Sequence, residues 1–235
     1  MAAVKVLLEA GAVLDPSTKI VFNKEVATSE QQAQVQELLY SMRFAAASHQ
    51  CAAQLRSWWR DQPGVDSLAS PEAPDTEMVV RKLQEIVGNA GDNRLQPRDA
   101  VFVFVSGTFD QSLLMERAVR QIAQHAAVLL QLAFSEELQR HLIASFGWLL
   151  SVKYPNAEGR FSMVLKALYD QSLVDEEALQ DWYYAARRDE RSALSLIPAS
   201  SLEALLQSAA PLMAWLEEAE EEEEVEKKNQ ACNAG

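Results

Sequence analysis

Apolar residues in this chain recur every three or four positions over long stretches that neither glycine nor proline interrupts. From Ser29 to Trp59 the positions Val35, Leu38, Leu39, Met42, Ala45, Ala46, Ala52, Leu55 and Trp59 follow that spacing. A period near 3.6 places them on one face of a helix, so this stretch reads as one long helix or two abutting ones. Only 8 Gly and 8 Pro occur among 235 residues, which argues against collagen, a Gly/Pro-rich tail or a many-turned β-sandwich. Hydrophobic residues make up 49% and charged ones 23%, ordinary values for a globular chain long enough to bury a core.

Further helical patterns cover Glu77–Val87, Gln111–Leu132, Ser135–Lys153, Arg160–Tyr169, Glu176–Arg188 and Ser200–Glu226. Their connections are short and polar, as between antiparallel neighbours. Glu136 and Glu137 follow Ser135, and Glu176 and Glu177 follow Asp175. Each pair puts negative charge in a first helical turn, where the helix dipole favours it. Ala100–Phe109 (AVFVFVSGTF) is the one strand-like run. An apolar run of that length also suits a buried helix, and its helical surroundings favour a helix. Asp61–Thr76, with three prolines and one glycine, is the best linker or loop. The organisation expected is a helical segment over 1–60, a linker or loop over 61–76, a helical domain over 77–226 and a flexible tail over 227–235. The fold class expected is all-α, a stack or solenoid of antiparallel helical hairpins.

There is a weak internal echo. Phe109-Asp110-Gln111-Ser112-Leu113 and Tyr169-Asp170-Gln171-Ser172-Leu173 share an aromatic residue followed by Asp-Gln-Ser-Leu, with Glu116 and Glu176 in step. Reused turn chemistry of this kind is how helical-hairpin repeats look, although two copies are fewer than a solenoid normally needs.

The net charge of −13 is unevenly spread. Residues 1–168 hold 18 acids and 16 bases, net −2; residues 169–226 hold 16 acids and three arginines, net −13; Lys227 and Lys228 return +2. An intensely acidic C-terminal quarter repels phosphate, which argues against nucleic-acid binding and for a basic partner.

Catalytic machinery is not visible. Gly88 and Gly91 lie outside any phosphate-binding pattern, and no G-x-S-x-G elbow occurs. His49, His125 and His141 have no second metal ligand at helical spacing, and Cys51 has no nearby His, so these read as packing or surface residues. No cofactor or metal is expected. Two cysteines, Cys51 and Cys232, give no disulfide framework and suit a reducing compartment. No run approaches the length of a membrane span, and the first residues lack the charged start of a signal peptide. A cytoplasmic location follows as an expectation.

The acids form two clusters. Asp170, Asp175, Glu176, Glu177 and Asp181 are interleaved with Tyr169, Leu173, Leu179, Trp182, Tyr183 and Tyr184. Glu217, Glu218, Glu220, Glu221, Glu222 and the acids after them follow Leu212, Met213, Trp215 and Leu216. Like charges four apart on a helix are unfavourable, which suggests a compensating gain such as a basic ligand. Leu179 stands three before Trp182 and Leu212 three before Trp215, the spacing of a core-facing stripe. Tyr169, Trp182 and Trp215 are therefore expected in the core, with the carboxylates outward.

These two segments resemble the paired aromatic-and-acidic boxes of the two-tryptophan domain of translation initiation factors. The first runs from Leu168-Tyr169-Asp170 through Leu173-Val174-Asp175-Glu176-Glu177-Ala178-Leu179 to Trp182, and the second from Pro211 through Trp215 to Glu222. Phe104–Asp110 and Leu138–Leu142 resemble the form in initiation factor five more than that in the epsilon subunit of the factor-two exchange factor. The resemblance spans roughly residues 77–226.

It implies a HEAT-like (MIF4G-like) superhelix of stacked hairpins and a non-enzymatic, monomeric assembly module. It implies docking of lysine-rich segments of the initiation factor two β subunit on the acidic residues named above, and contacts with factors one and three. The chain departs from the family at Glu217, where a Lys or Arg commonly follows Trp-Leu, and over Ser192–Gln207, which carries a single charge, Glu203. Both changes make the surface more acidic. The rival readings are a nucleotide-exchange domain acting on factor two and a decoy homologue that competes for the same partners.

Overall fold

A computed structural model of the protein describes residues 47–62, 75–89, 95, 98–110, 118–188, 197 and 199–233. Among them there are helices and no strand, in agreement with the all-α expectation. Helix α1 covers 47–60. It is followed by α2 (Thr76–Gly88), α3 (Asp99–Thr108), α4 (Ala118–Leu132), α5 (Glu136–Trp148), α6 (Phe161–Asp170), α7 (Glu176–Arg187) and α8 (Ala199–Asn233). A π-turn over Leu149–Lys153 extends α5, and a 3₁₀ turn over Glu158–Arg160 leads into α6.

The helices form two layers. In one, α3 packs on α5 and α5 on α7; in the other, α2 packs on α4, α4 on α6 and α6 on α8. The pairs α3–α4, α5–α6 and α7–α8 each cross between layers, so the stack is built of antiparallel hairpins, as expected. The ambiguous run Ala100–Phe109 lies in α3, where every residue from Asp99 to Thr108 is buried. A helix enclosed on all sides needs no polar face, which is why its sequence lacks helical alternation.

Cys51, Leu55 and Trp59 of α1 share one core with Leu83, Phe104, Ile122, Phe146 and Trp182. Gly107 lets α1 approach α3: a Cβ there would stand 3.2 Å from Leu55 Cδ2 and 3.4 Å from the Ala52 carbonyl oxygen. The echo does not mark a structural repeat. Its first copy begins at the end of α3, inside a hairpin, whereas its second joins α6 to α7, between hairpins. Residues 111–117 lie outside the described ones.

The helix expected to end at Glu226 continues to Asn233. Residues 227–233, read from the sequence as tail, thus extend α8; no Gly or Pro follows Pro211 until Gly235, and Lys, Gln and Ala are good helix formers.

Candidate functional site: the acidic face of helices α6 to α8

The turn between α6 and α7 sets the first acidic cluster in place. Ser172 adopts φ 54°, a left-handed conformation. Its N–H donates to the Tyr169 carbonyl at 2.8 Å, and the Leu173 N–H to the Leu168 carbonyl at 2.9 Å. This is a Schellman closure, with serine where glycine is usual and buried Leu173 as its hydrophobic anchor. Asp175 then caps α7, its Oδ1 accepting the Ala178 N–H at 2.8 Å, and its own N–H donates to Gln139 Oε1 of α5 at 2.9 Å. Ser135 caps α5 in the same manner, accepting the Leu138 N–H.

From that start α7 buries Ala178, Leu179, Trp182, Tyr183, Ala185 and Ala186 and exposes Glu177, Asp181 and Tyr184. Trp182 is fully buried against Phe161, with 5.2 Å between ring centres. The expectation for Trp182 therefore holds. That for Trp215 does not: it is 47% exposed. The reason is helical phase. Leu205, Ala209, Leu212, Met213 and Leu216 form the buried stripe of α8. At roughly 100° per residue, Trp215 lies about 110° from the centre of that stripe, and Leu216 takes the inward place. Tyr169 is half-buried and meets Trp215 edge-on, 6.2 Å between centres.

The structure divides the predicted acids into three settings. Asp170 pairs with Lys166 at 2.9 Å, and the same ammonium sits 5.5 Å from the Trp215 ring centre. Asp181 pairs with Arg140 of α5 at 2.6 Å, and Arg140 also holds Glu136 at 3.0 Å. Glu217 accepts a hydrogen bond from the Tyr184 hydroxyl, which joins α7 to α8. Glu177 of α7 and Glu218 of α8 are exposed. Glu176 is half-buried and accepts from Gln180. Glu220, Glu221 and Glu222 lie on α8, but their side chains fall outside the described ones.

Neighbouring charges and hydrogen bonds shift two groups of this face. Arg140 pulls the Glu136 carboxyl down, but partial burial, a hydrogen bond with Asp181 and the charges of Glu177 and Asp181 outweigh it, and the net shift is upward. The Tyr184 phenol is raised, first by its hydrogen bond to Glu217. Sequence reasoning missed Arg140 and Lys166. The four-residue spacing of Lys166 and Asp170 signals their pair, whereas the contact of Arg140 with Asp181 depends on α5 packing against α7.

The histidines have no ligand geometry. His125 is buried with its ring edge-on to those of Trp59, Phe104 and Phe109, and His49 lies 5.6 Å from the Trp148 ring. Among the described residues, no group of three His, Cys, Asp or Glu side chains could hold a metal ion. Nor is any described helix long and apolar enough to cross a membrane.

Residues 130–226, which contain both boxes, match the family described as W2: eIF4-gamma/eIF5/eIF2-epsilon. This segment of the chain is similar to the W2 domains of those proteins. Its relatives include translation initiation factor 5 proteins. The chain is 22% identical over 144 residues to eukaryotic translation initiation factor 5 of Caenorhabditis elegans, an alignment covering 60% of this chain and 31% of the relative. It is 34% identical over 90 residues to the probable eukaryotic translation initiation factor 5-2 of Arabidopsis thaliana, covering 37% of this chain and 18% of the relative. The chain thus spans a third or less of the length of these proteins. Its fold is similar to a solved structure of the C-terminal domain of translation initiation factor 5 at low pH. That likeness has a TM-score of 0.54 at 22% identity and covers 75% of this chain and 96% of the other.

Proposed function

We propose that this protein is a non-enzymatic, cytoplasmic binding module of translation initiation that captures lysine-rich segments of the initiation factor two β subunit. One observation carries the reading: the carboxylates of α7 and α8 outnumber the cations placed among them and flank an exposed tryptophan. Opposite charge speeds encounter with a basic segment, and an exposed indole adds contact area. The residues that carry the interaction are Asp170, Asp175, Glu176, Glu177 and Asp181 on one side and Glu217, Glu218, Glu220, Glu221 and Glu222 on the other. Trp215 joins them as a contact residue. Factors one and three are further partners on this reading, and the module acts as a monomer. It extends upstream of residue 77, because α1 contributes Leu55 and Trp59 to the same core.

The test is a titration against a lysine-rich peptide from the factor-two β subunit at 50 and 300 mM salt, the concentrations being chosen about the screening range of exposed charges. Wild type is expected to bind more weakly at the higher salt. Replacement of Glu176, Glu177, Glu220, Glu221 and Glu222 by Gln is expected to weaken binding at the lower salt, mainly through a slower on-rate. Equal affinity for the two proteins with no salt dependence would show that the acidic face is merely solvated.

A further inference from the structure

Trp215 is exposed, yet one face of its ring is already engaged. The Lys166 ammonium lies 5.5 Å from the ring centre. The same ammonium is 2.9 and 3.0 Å from the two carboxylate oxygens of Asp170, one helical turn further along α6. Tyr169 supports the indole edge-on from the end of α6. An aromatic face beside a carboxylate is the chemistry that recognises a primary ammonium, by cation–π attraction together with a charge-assisted hydrogen bond. Here the ammonium comes from the protein itself. The Lys166 and Asp170 side chains are 55% and 48% exposed, and exposed ion pairs of this kind are weak. Lys166 is therefore a displaceable occupant.

The geometry points to a lysine subsite formed by Trp215 and Asp170, which Lys166 fills as an internal competitor. This inference rests on the reading of the acidic face given above. An arriving basic segment places one of its ammonium groups on the ring and carboxylate, and Lys166 moves into solvent. The exchange replaces like with like, so an isolated lysine gains little from it. A peptide whose other lysines are held at Glu177, Glu217 and Glu218 makes the exchange intramolecular and so drives it. Lys166 thus favours clustered lysines over scattered ones, a specificity built from competition.

The experiment titrates a fluorescein-labelled oligolysine peptide by anisotropy at low salt against the full chain. The proteins are wild type, Lys166→Met, Lys166→Arg, Trp215→Leu and the Lys166→Met/Trp215→Leu double variant, each first shown to keep the wild-type helical signal. Lys166→Met is expected to bind about two- to fivefold more tightly, the range of one exposed cation–π contact. That gain is expected to vanish in the Trp215→Leu background, and Lys166→Arg to keep the wild-type affinity. An equal gain in both backgrounds would make Lys166 only one repelling charge and would overturn the subsite. Unchanged or weaker binding by Lys166→Met would overturn it as well. Absence of wild-type binding is a separate result that sinks the reading of the whole face and the subsite with it.

Discussion

The Tyr169 ring meets the Trp215 indole at 83°, so the last turn of α6 touches α8 through two aromatic side chains that both remain partly open to solvent. Two acidic-aromatic segments far apart in sequence thus share one edge. The two tryptophans of those segments nonetheless do different work, and truncation separates them. Trp182→Ala is expected to cost about 3–5 kcal/mol, as large aromatic deletions in a core do. Trp215→Ala is expected to cost about 1 kcal/mol or less, as surface changes usually do. Denaturant melts of the two variants check this; a Trp215→Ala loss as large as that of Trp182→Ala would place its indole in the core after all.

The Schellman turn after α6 gives a stabilising change. Ser172 holds a left-handed backbone at φ 54°, which costs an L-residue roughly 1 kcal/mol or more that glycine does not incur. Glycine also loses more freedom on folding, so Ser172→Gly is expected to gain a net stability of about 0.5–1 kcal/mol. Thermal unfolding would show this as a rise in Tm, with binding of basic peptides unchanged. A fall in Tm would mean that the serine side chain supports the turn.

Buried His125 and half-buried His141 set a pH dependence. Burial lowers His125 from its ordinary 6.5 to about 4, against the opposing pull of Asp110. Burial and the charge of Arg98 lower His141 to about 4, against Glu137. The unfolded chain therefore binds protons below pH 6.5 that the folded chain refuses until about pH 4. Stability is full above that window, falls as the pH drops through it and levels off below, by about 3 kcal/mol for each histidine. Denaturant unfolding at pH 7.5 and pH 4.5, values chosen to span this window, is expected to show the loss. His125→Phe should remove part of the slope, since the aromatic cage around it accepts a neutral ring.

How far the sequence reveals all this depends on which interactions are local. The starts of α5 and α7 could be read because caps and charges sit beside them: Ser135 and Asp175 accept backbone N–H groups three residues on. Ala100–Phe109 was ambiguous because complete burial erases the periodicity that distinguishes helix from strand. Trp182 and Trp215 each follow a leucine by three residues, yet only one turns inward, because neighbouring Leu216 competes for the inward place. The acids of α7 and α8 were visible by composition. The Arg140 cluster and the Tyr184 link were not, since both contacts cross between helices.

The carboxyl end of α3 bears on how the stack comes apart. Lys153, placed by the π-turn after α5, donates to the Ser106 and Phe109 carbonyls at 2.9 Å each, and Arg56 of α1 donates to Ser106 at 3.2 Å. Tyr154 adds its hydroxyl to Phe109 at 3.2 Å. Helical arrays normally unzip one unit at a time, because each unit meets only its neighbours. Here the carbonyls that end one helix are closed by residues far before and far after it in the chain. Opening α1 or the π-turn therefore strips donors from α3, and these three segments should melt as a single cooperative block, with native-state hydrogen exchange giving their amides a common opening free energy.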